Sequence, residues 1–236
     1  MPFIDAYRKA IIALDWTLTR MYVRKFEVVG KEHLPLEGPL ILASNHLNNA
    51  DPPMIALAIR PRYPMYMAKR EMVSWPILGP AFRAFGAFPV RRGEADLGAL
   101  RAASEVVQKG ALLVMFPEGT RSRTGGLGRG HPGTAIIALR TGAPILPVAV
   151  TGTHGTTWPW IFLKPYSIRH VRVVIGEPFH LPPVERVTSE AATHATDIIM
   201  RRIAALLPPE HRGVYIDVEA PVTQEAPAEA TGYTKS

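Results

Sequence analysis

The sequence predicts an α/β fold, a single domain in which helices cover a mixed sheet. Short apolar segments alternate along the chain with segments of helical periodicity. Apolar residues make up 47% of the 236 residues, which supports a substantial core. No linker interrupts this pattern before the C-terminal tail, so we expect one domain over residues 26–213.

An amphipathic helix is predicted to precede this domain, within residues 1–25. Apolar side chains recur there at spacings of three and four, and Trp16 and Tyr22 stand beside basic residues such as Arg20 and Lys25. This composition is typical of a helix in a membrane interface, although a first helix packed on its own domain has the same pattern. We expect neither a signal peptide nor a membrane-spanning helix, because no long uninterrupted apolar segment is present.

The strands are predicted from apolar runs that are bounded by glycine, proline or charged residues. The helices are predicted from apolar residues at helical spacing, and Gly110 and Gly142 mark the ends of two of them. The predicted strands cover residues 26–30, 39–43, 65–68, 86–90, 111–116, 145–150 and 171–175. The predicted helices cover residues 53–59, 95–109, 134–140 and 189–207.

Charge divides the chain into a basic body and an acidic tail. The net charge is +7, and residues 214–236 contribute −3 from four acidic residues and one lysine, which leaves +10 on the body. The tail is rich in alanine, proline, threonine and glutamate, and we predict that it is disordered. The basic body suggests an anionic partner: nucleic acid, a phospholipid surface or a phosphorylated substrate.

The absence of cysteine excludes several classes of chemistry. Disulfides, cysteine-ligated zinc, iron–sulfur clusters and a thioester on a protein cysteine are all ruled out. The sequence also contains neither a dinucleotide-binding glycine fingerprint nor a phosphate-binding Gly-Lys-Ser/Thr loop.

The first candidate site is the segment 45–51, which follows a predicted strand. We expect His46 on the loop that leaves this strand and Asp51 as the cap of the next helix, before two prolines. A neutral histidine can accept a proton from a substrate hydroxyl, and a carboxylate on its other nitrogen fixes the tautomer and stabilises the imidazolium. The alternative is that Asp51 only caps a helix and His46 only ends a strand.

The second candidate site, residues 116–122, reads Phe-Pro-Glu-Gly-Thr-Arg-Ser and closes another apolar strand. Its turn can present backbone N–H groups, Arg121 can grip a phosphate through two parallel hydrogen bonds, and Thr120 adds a hydroxyl. Glu118 has two candidate roles, orienting Arg121 or bonding a substrate hydroxyl. The alternative is a surface turn with an internal Glu–Arg pair.

Together the two motifs resemble those of the 1-acylglycerol-3-phosphate O-acyltransferase family, within the glycerolipid acyltransferases. His46 and Asp51 are similar to the family's histidine–aspartate motif, and residues 116–121 match its Phe-Pro-Glu-Gly-Thr-Arg block. The resemblance extends over much of the chain between residues 26 and 180 and implies the family's fold. Weaker matches, in chain order, are the blocks Gly86–Arg92 and Pro144–Val148.

The resemblance implies a role for each matching position. His46 would be the general base on the acceptor hydroxyl, and Asp51 would orient it. Lys69 would be a further phosphate contact, and the stretch 144–148 would border the acyl-donor site. Direct transfer is the simpler mechanism, with an acyl-enzyme on Ser44 as the alternative. The residues implied to form the glycerol phosphate site are Arg92, Glu118, Gly119, Thr120 and Arg121.

The implied activity is transfer of a fatty acyl group from acyl-CoA or acyl carrier protein to 1-acyl-sn-glycerol 3-phosphate, giving phosphatidic acid. No cofactor or metal is expected, because a thioester is already reactive. We expect a peripheral protein on the cytoplasmic face of the cell membrane. The alternatives are a different acceptor, such as glycerol-3-phosphate, another lysophospholipid or a glycolipid, and a catalytically silent membrane-binding protein. No nucleic-acid partner is expected, because no recognised nucleic-acid motif accompanies the charge.

Overall fold

The structure is a computed structural model that describes residues 19–76, 79–90, 97–155 and 168–219, together with Ala13 and Thr17. A seven-stranded sheet forms its centre, with the strand order β1-β7-β6-β2-β5-β3-β4. The strands are β1 (Val23–Val29), β2 (Leu40–Ser44), β3 (Pro64–Lys69), β4 (Ala87–Val90), β5 (Leu112–Met115), β6 (Ile145–Thr151) and β7 (Ile168–Ile175).

The sheet is mixed, as predicted. The strands β6, β2, β5, β3 and β4 lie side by side and are parallel. β7 runs antiparallel to β6, and β1 is parallel to β7, so these two strands point the other way. The carboxyl ends of the five parallel strands therefore share one edge, which is where open α/β sheets place their ligands.

Helices cover both faces of the sheet. They are α1 (Asp51–Ala58), α2 (Arg70–Ser74), α3 (Gly79–Ala84), α4 (Leu97–Gln108), α5 (Gly133–Thr141) and α6 (Ser189–Leu206). The central strand β2 contributes side chains to the hydrophobic clusters on both faces of the sheet, because its side chains alternate between the two faces. Leu40 and Leu42 pack in the cluster that includes α1, whereas Ile41 and Ala43 pack in the cluster formed with α4, α5 and α6.

The N-terminal helix ends earlier than predicted. Residues 19–22 are helical, but β1 begins at Val23, inside the segment 1–25 that was predicted to hold the helix. Val23 pairs with Ile168 of β7, a partner far away in sequence that no local pattern reveals. Apart from Ala13 and Thr17, the first 18 residues lie outside the described part of the chain, so their membrane role stays a prediction.

The tail prediction was wrong at its start. Residues 214–219 belong to the folded domain: Gly213–Tyr215 forms a short 3-10 helix, and Tyr215 is buried in the core beside α6. Arg212 donates a hydrogen bond to the carbonyl oxygen of Val218, and Arg201 of α6 pairs with Asp217 at 3.0 Å. These tertiary contacts compensate for the weak local propensity. Residues 220–236 lie outside the described residues.

Within the described segments, no helix combines the length and the apolar character that are needed to cross a membrane.

Candidate functional site

His46 and Asp51 form a hydrogen-bonded pair just beyond the carboxyl end of β2. The distance from His46 Nδ1 to Asp51 Oδ2 is 2.8 Å. Asp51 is fully buried, while 16% of the His46 side chain is accessible to solvent. Bonding to a carboxylate places the proton on Nδ1, which leaves the lone pair of Nε2 free to accept a proton. The pair thus has the arrangement of a general base and its orienting carboxylate.

The Asp51 carboxylate is held by further hydrogen-bond donors. Contrary to the prediction, it does not cap α1. The N-cap residue is Ala50, which makes no side-chain capping bond. Asp51 Oδ2 instead accepts the backbone N–H groups of Leu47 at 2.6 Å and Asn48 at 2.7 Å. The next two residues are prolines without N–H donors, so the carboxylate bonds to the loop behind it.

A fourth hydrogen bond to this carboxylate comes from a residue that the sequence analysis missed. The hydroxyl of Thr153 donates to Asp51 Oδ1 at 2.6 Å, and both side chains are fully buried. Thr153 follows β6, the neighbour of β2 on the side away from β5. The only signal in the sequence was a hydroxyl residue shortly after an apolar strand, and its meaning depends on the order of strands in the sheet.

The two predicted motifs meet through His46. Its ring stacks on Phe116 with centroids 4.1 Å apart and planes inclined by 23°. The backbone N–H of His46 donates to Glu118 Oε1 at 2.9 Å, and its carbonyl oxygen accepts the N–H of Ser122 at 2.7 Å. Because three contacts lock the loops together, the histidine has one defined position relative to the turn at 116–122.

Glu118 is a bridge between loops, a role that the sequence analysis did not consider for it. It is buried, and its second oxygen accepts the N–H of Gly128 at 2.8 Å. Burial raises the pKa of Glu118, although the two backbone hydrogen bonds work in the opposite direction. With both oxygens bonded to backbone, the carboxylate shapes the site from behind. The internal Glu118–Arg121 pair of the alternative interpretation is not formed.

The residues after Glu118 face solvent. Gly119, Thr120 and Arg121 are exposed, and within the described residues Arg121 makes no ion pair. Gly119 has a φ of +66°, and a Cβ there would lie 3.1 Å from the His131 ring, so the turn requires glycine. A guanidinium on an exposed turn is able to bind an anionic oxygen group through two parallel hydrogen bonds.

Lys69 lies at the carboxyl end of β3 and is exposed, at the same edge of the sheet as His46 and Glu118. Arg92 is predicted to bind glycerol phosphate but lies outside the described residues, since the structure describes β4 up to Val90 and resumes at Leu97. Its role stays a prediction.

Burial conflicts with one alternative, an acyl-enzyme on Ser44, and with one expectation, that the stretch 144–148 borders the acyl-donor site. Ser44 is fully buried, and its hydroxyl donates to the carbonyl oxygen of Asn45 at 3.1 Å, so it is not available to attack a thioester. Ile145–Val148 is buried between β2 and β7 in the middle of the sheet. These four residues are part of the core and present no surface to an acyl donor, whereas Pro144, which begins the predicted stretch 144–148, is half-buried.

Comparisons with known proteins agree on one family. A family model described as Acyltransferase matches residues 25–151. A chloroplastic 1-acyl-sn-glycerol-3-phosphate acyltransferase from Brassica napus is 31% identical over 200 residues, covering 80% of this chain and 57% of the relative. A 1-acyl-sn-glycerol-3-phosphate acyltransferase from Bacillus subtilis is 28% identical over 182 residues, covering 76% of this chain and 87% of the relative.

A solved structure shares the fold. The crystal structure of the 1-acyl-sn-glycerophosphate acyltransferase PlsC from Thermotoga maritima superposes with a TM-score of 0.64 at 26% identity, covering 83% of this chain and 78% of that one. The chain spans little more than half the length of the plant relatives, 57% of the Brassica napus protein and 55% of a chloroplastic relative from Arabidopsis thaliana.

Proposed function

The chain belongs to the acyltransferase family, and we propose that it transfers a fatty acyl group to the free hydroxyl of 1-acyl-sn-glycerol 3-phosphate, giving phosphatidic acid. The observation that carries this proposal is the pair formed by His46 and a fully buried Asp51, at 2.8 Å, beside an exposed arginine-bearing turn. The acyl donor is acyl-CoA or acyl carrier protein. The relatives named as acting on this acceptor support the choice of substrate.

The first step is proton removal from the acceptor. Nδ1–H of His46 stays bonded to Asp51, and Nε2 takes the hydroxyl proton as the oxygen attacks the thioester carbonyl. The new C–O bond forms a tetrahedral intermediate, which collapses with loss of the donor thiolate. The imidazolium returns its proton to that sulfur, so the histidine is regenerated. Asp51 stabilises the transient imidazolium by charge and by fixing the ring.

The acceptor phosphate is positioned by cations at the carboxyl edge of the sheet. Arg121 lies in the turn that His46 contacts, and its guanidinium offers several donors in a planar fork. Lys69 adds charge from the end of β3. Arg92, on the chain after β4, completes this set in our proposal. The phosphate and the free hydroxyl belong to the same acceptor molecule, so binding of the phosphate holds the hydroxyl close to His46.

The body of the protein is suited to an anionic lipid surface. Its net charge of +10 over residues 1–213 attracts acidic phospholipids, and the substrate is itself a lipid. We propose that the protein works as a peripheral protein on the cytoplasmic face of the membrane, with the amphipathic segment 1–25 as the anchor.

An assay of acceptors tests the proposal directly. Purified protein in detergent is given labelled palmitoyl-CoA, or palmitoyl-acyl carrier protein, with lysophosphatidic acid, glycerol-3-phosphate and lysophosphatidylcholine as separate acceptors. We expect labelled phosphatidic acid, and a loss of about a hundred- to ten-thousand-fold in His46→Ala because the general base is gone. His170→Ala serves as the matched control, since the exposed His170 side chain bonds to Glu27 of β1 and not to the His46–Asp51 pair.

Three outcomes contradict parts of the proposal. Near-normal turnover in His46→Ala removes the histidine from the mechanism. Transfer to another acceptor alone keeps the chemistry and overturns the substrate. No transfer from either donor to any acceptor overturns the proposed activity as a whole.

A further inference from the structure

Thr153 holds the side of the Asp51 carboxylate that faces away from His46. Its hydroxyl donates to Oδ1 at 2.6 Å, whereas His46, Leu47 and Asn48 all bond to Oδ2. A carboxylate that is bonded through one oxygen can still rotate about its Cβ–Cγ bond, because that torsion has broad minima. A donor on the second oxygen removes this freedom. Thr153 therefore defines the plane in which Oδ2 meets the imidazole.

Two features of the chain bring Thr153 to this position. The pairing of β2 with β6 ends at Ser44 and Val148, but the side-chain amide of Asn45 extends it. That amide donates to the carbonyl oxygen of Val150 at 2.8 Å and accepts the Val150 N–H at 2.8 Å. The loop after β2 is thereby fixed to the end of β6, one short turn before Thr153.

Gly152 supplies that turn. Its φ of +87° lies in the left-handed region, and a Cβ there would overlap the carbonyl oxygen of His170 on β7. The chain therefore leaves β6 sharply and directs the Thr153 side chain inward, where it is fully buried.

We propose that Thr153 is a positioning residue for acyl transfer, which acts by orienting Asp51 and, through it, His46. This inference rests on the proposed function of the His46–Asp51 pair. A base that is displaced or loosely oriented loses rate in the chemical step while substrate binding is unaffected. The effect of losing the hydroxyl should therefore appear in kcat and leave KM unchanged.

The kinetic test compares side chains that differ by the hydroxyl alone. Thr153→Val keeps the shape and removes the donor, and Thr153→Ser keeps the donor. Thr153→Ala and Thr153→Ser form a second matched pair, because both lack the methyl group; they decide the question if the valine protein does not fold. We expect kcat to fall by about 10- to 100-fold in the valine and alanine proteins, with KM within about twofold of wild type, and kcat to recover in the serine protein.

Thr196→Val is the control for loss of a buried hydroxyl. Thr196 lies on α6, where its hydroxyl donates to the carbonyl oxygen of Ala192 at 2.7 Å, and it has no contact with the His46–Asp51 pair. Its kcat should stay at the wild-type value. Thermal unfolding of every protein accompanies the kinetics.

A measurement that does not need turnover separates this inference from the proposed function. In protein labelled with ¹⁵N-histidine, the downfield proton bonded between His46 Nδ1 and Asp51 is assigned by its absence in His46→Ala. We expect it to be sharp in wild type and in Thr153→Ser, and broadened by exchange in Thr153→Ala, because a rotating carboxylate releases the proton more often.

Several results would overturn the role of Thr153. These are an unchanged kcat in the valine and alanine proteins, a serine protein as slow as the alanine protein, a raised KM at normal kcat, an equal loss in Thr196→Val, or an unchanged His46 proton resonance in Thr153→Ala. A wild-type protein that transfers no acyl group would overturn the proposed function, and the resonance would still decide on Thr153.

Discussion

Two histidine–carboxylate pairs in this protein share the same nitrogen–oxygen distance and differ in almost everything else. His46 and Asp51 are 2.8 Å apart at the carboxyl edge of the parallel strands, and His170 and Glu27 are 2.8 Å apart across β7 and β1. Asp51 is fully buried, whereas the His170 side chain is 41% exposed and Glu27 is 17% exposed. A short distance alone therefore does not identify a catalytic base.

The difference lies in what holds each carboxylate. Asp51 accepts two backbone N–H groups and one hydroxyl in addition to the imidazole. Glu27 is shared among cations, with Lys25 at 3.5 Å and Arg172 at 3.6 Å, on long side chains that remain largely exposed. The first pair is pre-organised by the fold, and the second is a surface charge cluster. Catalysis depends on the first kind of order because the groups must already be in place at the transition state.

The largest expected contrast comes from converting each carboxylate to an amide. Asp51→Asn should lower kcat by about a hundred- to ten-thousand-fold, because an amide cannot stabilise the imidazolium and favours the wrong tautomer. Glu27→Gln should leave kcat within about twofold of wild type, since an exposed pair contributes little. Steady-state acyl transfer from palmitoyl-CoA measures both. Equal losses in the two variants would show that burial and backbone donors are not what distinguishes the pairs.

Glu118→Gln tests whether activity and stability depend on the hydrogen bonds that Glu118 accepts from the backbone of His46 and Gly128. Both Glu118 oxygens accept backbone N–H groups, and glutamine offers one acceptor and one donor, so an N–H of His46 or Gly128 would lose its partner. We expect the free energy of unfolding to fall by about 1–3 kcal/mol and kcat to fall by about tenfold.

Urea unfolding and acyl-transfer kinetics provide the two readouts for Glu118→Gln. Glu105→Gln, on the exposed face of α4, is the control and should change neither quantity. A fully stable Glu118→Gln protein with a raised KM and normal kcat would instead support direct substrate binding by Glu118.

Arg121→Lys addresses the exposed part of the site. Lysine keeps the charge but lacks the planar fork that matches a phosphate, so we expect KM for lysophosphatidic acid to rise by about tenfold with little change in kcat. Arg140→Lys is the control, because Arg140 is an exposed arginine in the last turn of α5. An unchanged KM in Arg121→Lys would place this residue outside the phosphate site.

The smallest contrast is the pH dependence of stability. Burial raises the pKa of Glu27, but Arg172, His170 and Lys25 together outweigh it, so its pKa lies below the ordinary value. A lowered pKa stabilises the folded state above the ordinary pKa, and this stabilisation is lost as the pH falls through the folded-state value. At pH 7 the free energy of unfolding of wild type should exceed that of Glu27→Gln by at most about 1 kcal/mol. This difference should vanish as the pH falls well below about 4.3.

The pKa shift of Glu118 is opposite in direction to that of Glu27. Burial raises its pKa, so the unfolded chain releases this proton at a lower pH than the folded protein does. The contribution of Glu118 to the free energy of unfolding should therefore decrease as the pH rises above the ordinary carboxyl value. Urea unfolding across this range, with Glu27→Gln and Glu118→Gln beside wild type, measures how each carboxylate's contribution to the free energy of unfolding changes with pH. If both contributions change in the same direction, the argument from burial is wrong.

Much of the architecture was predictable because its signals are local. The strands β2, β5 and β6 are short apolar runs, and the helices α4, α5 and α6 show their period within single segments. The predictions failed where contacts with residues distant in sequence determine the local structure. Val23 is a strand residue because it pairs with Ile168, and Tyr215 is ordered because α6 provides a surface to cover it.

The candidate site divides in the same way. The sequence by itself determined that a short loop joins His46 to Asp51 and that a glycine turn with Arg121 follows a buried strand. Residues five positions apart across a short loop are already close together. Only the tertiary structure decided that Thr153, 102 positions from Asp51, holds its second oxygen, and that Glu118, 72 positions from His46, holds the loop backbone. These contacts depend on the placement of β6 and β5 on either side of β2, and that order arises from long-range strand pairing which no local pattern encodes.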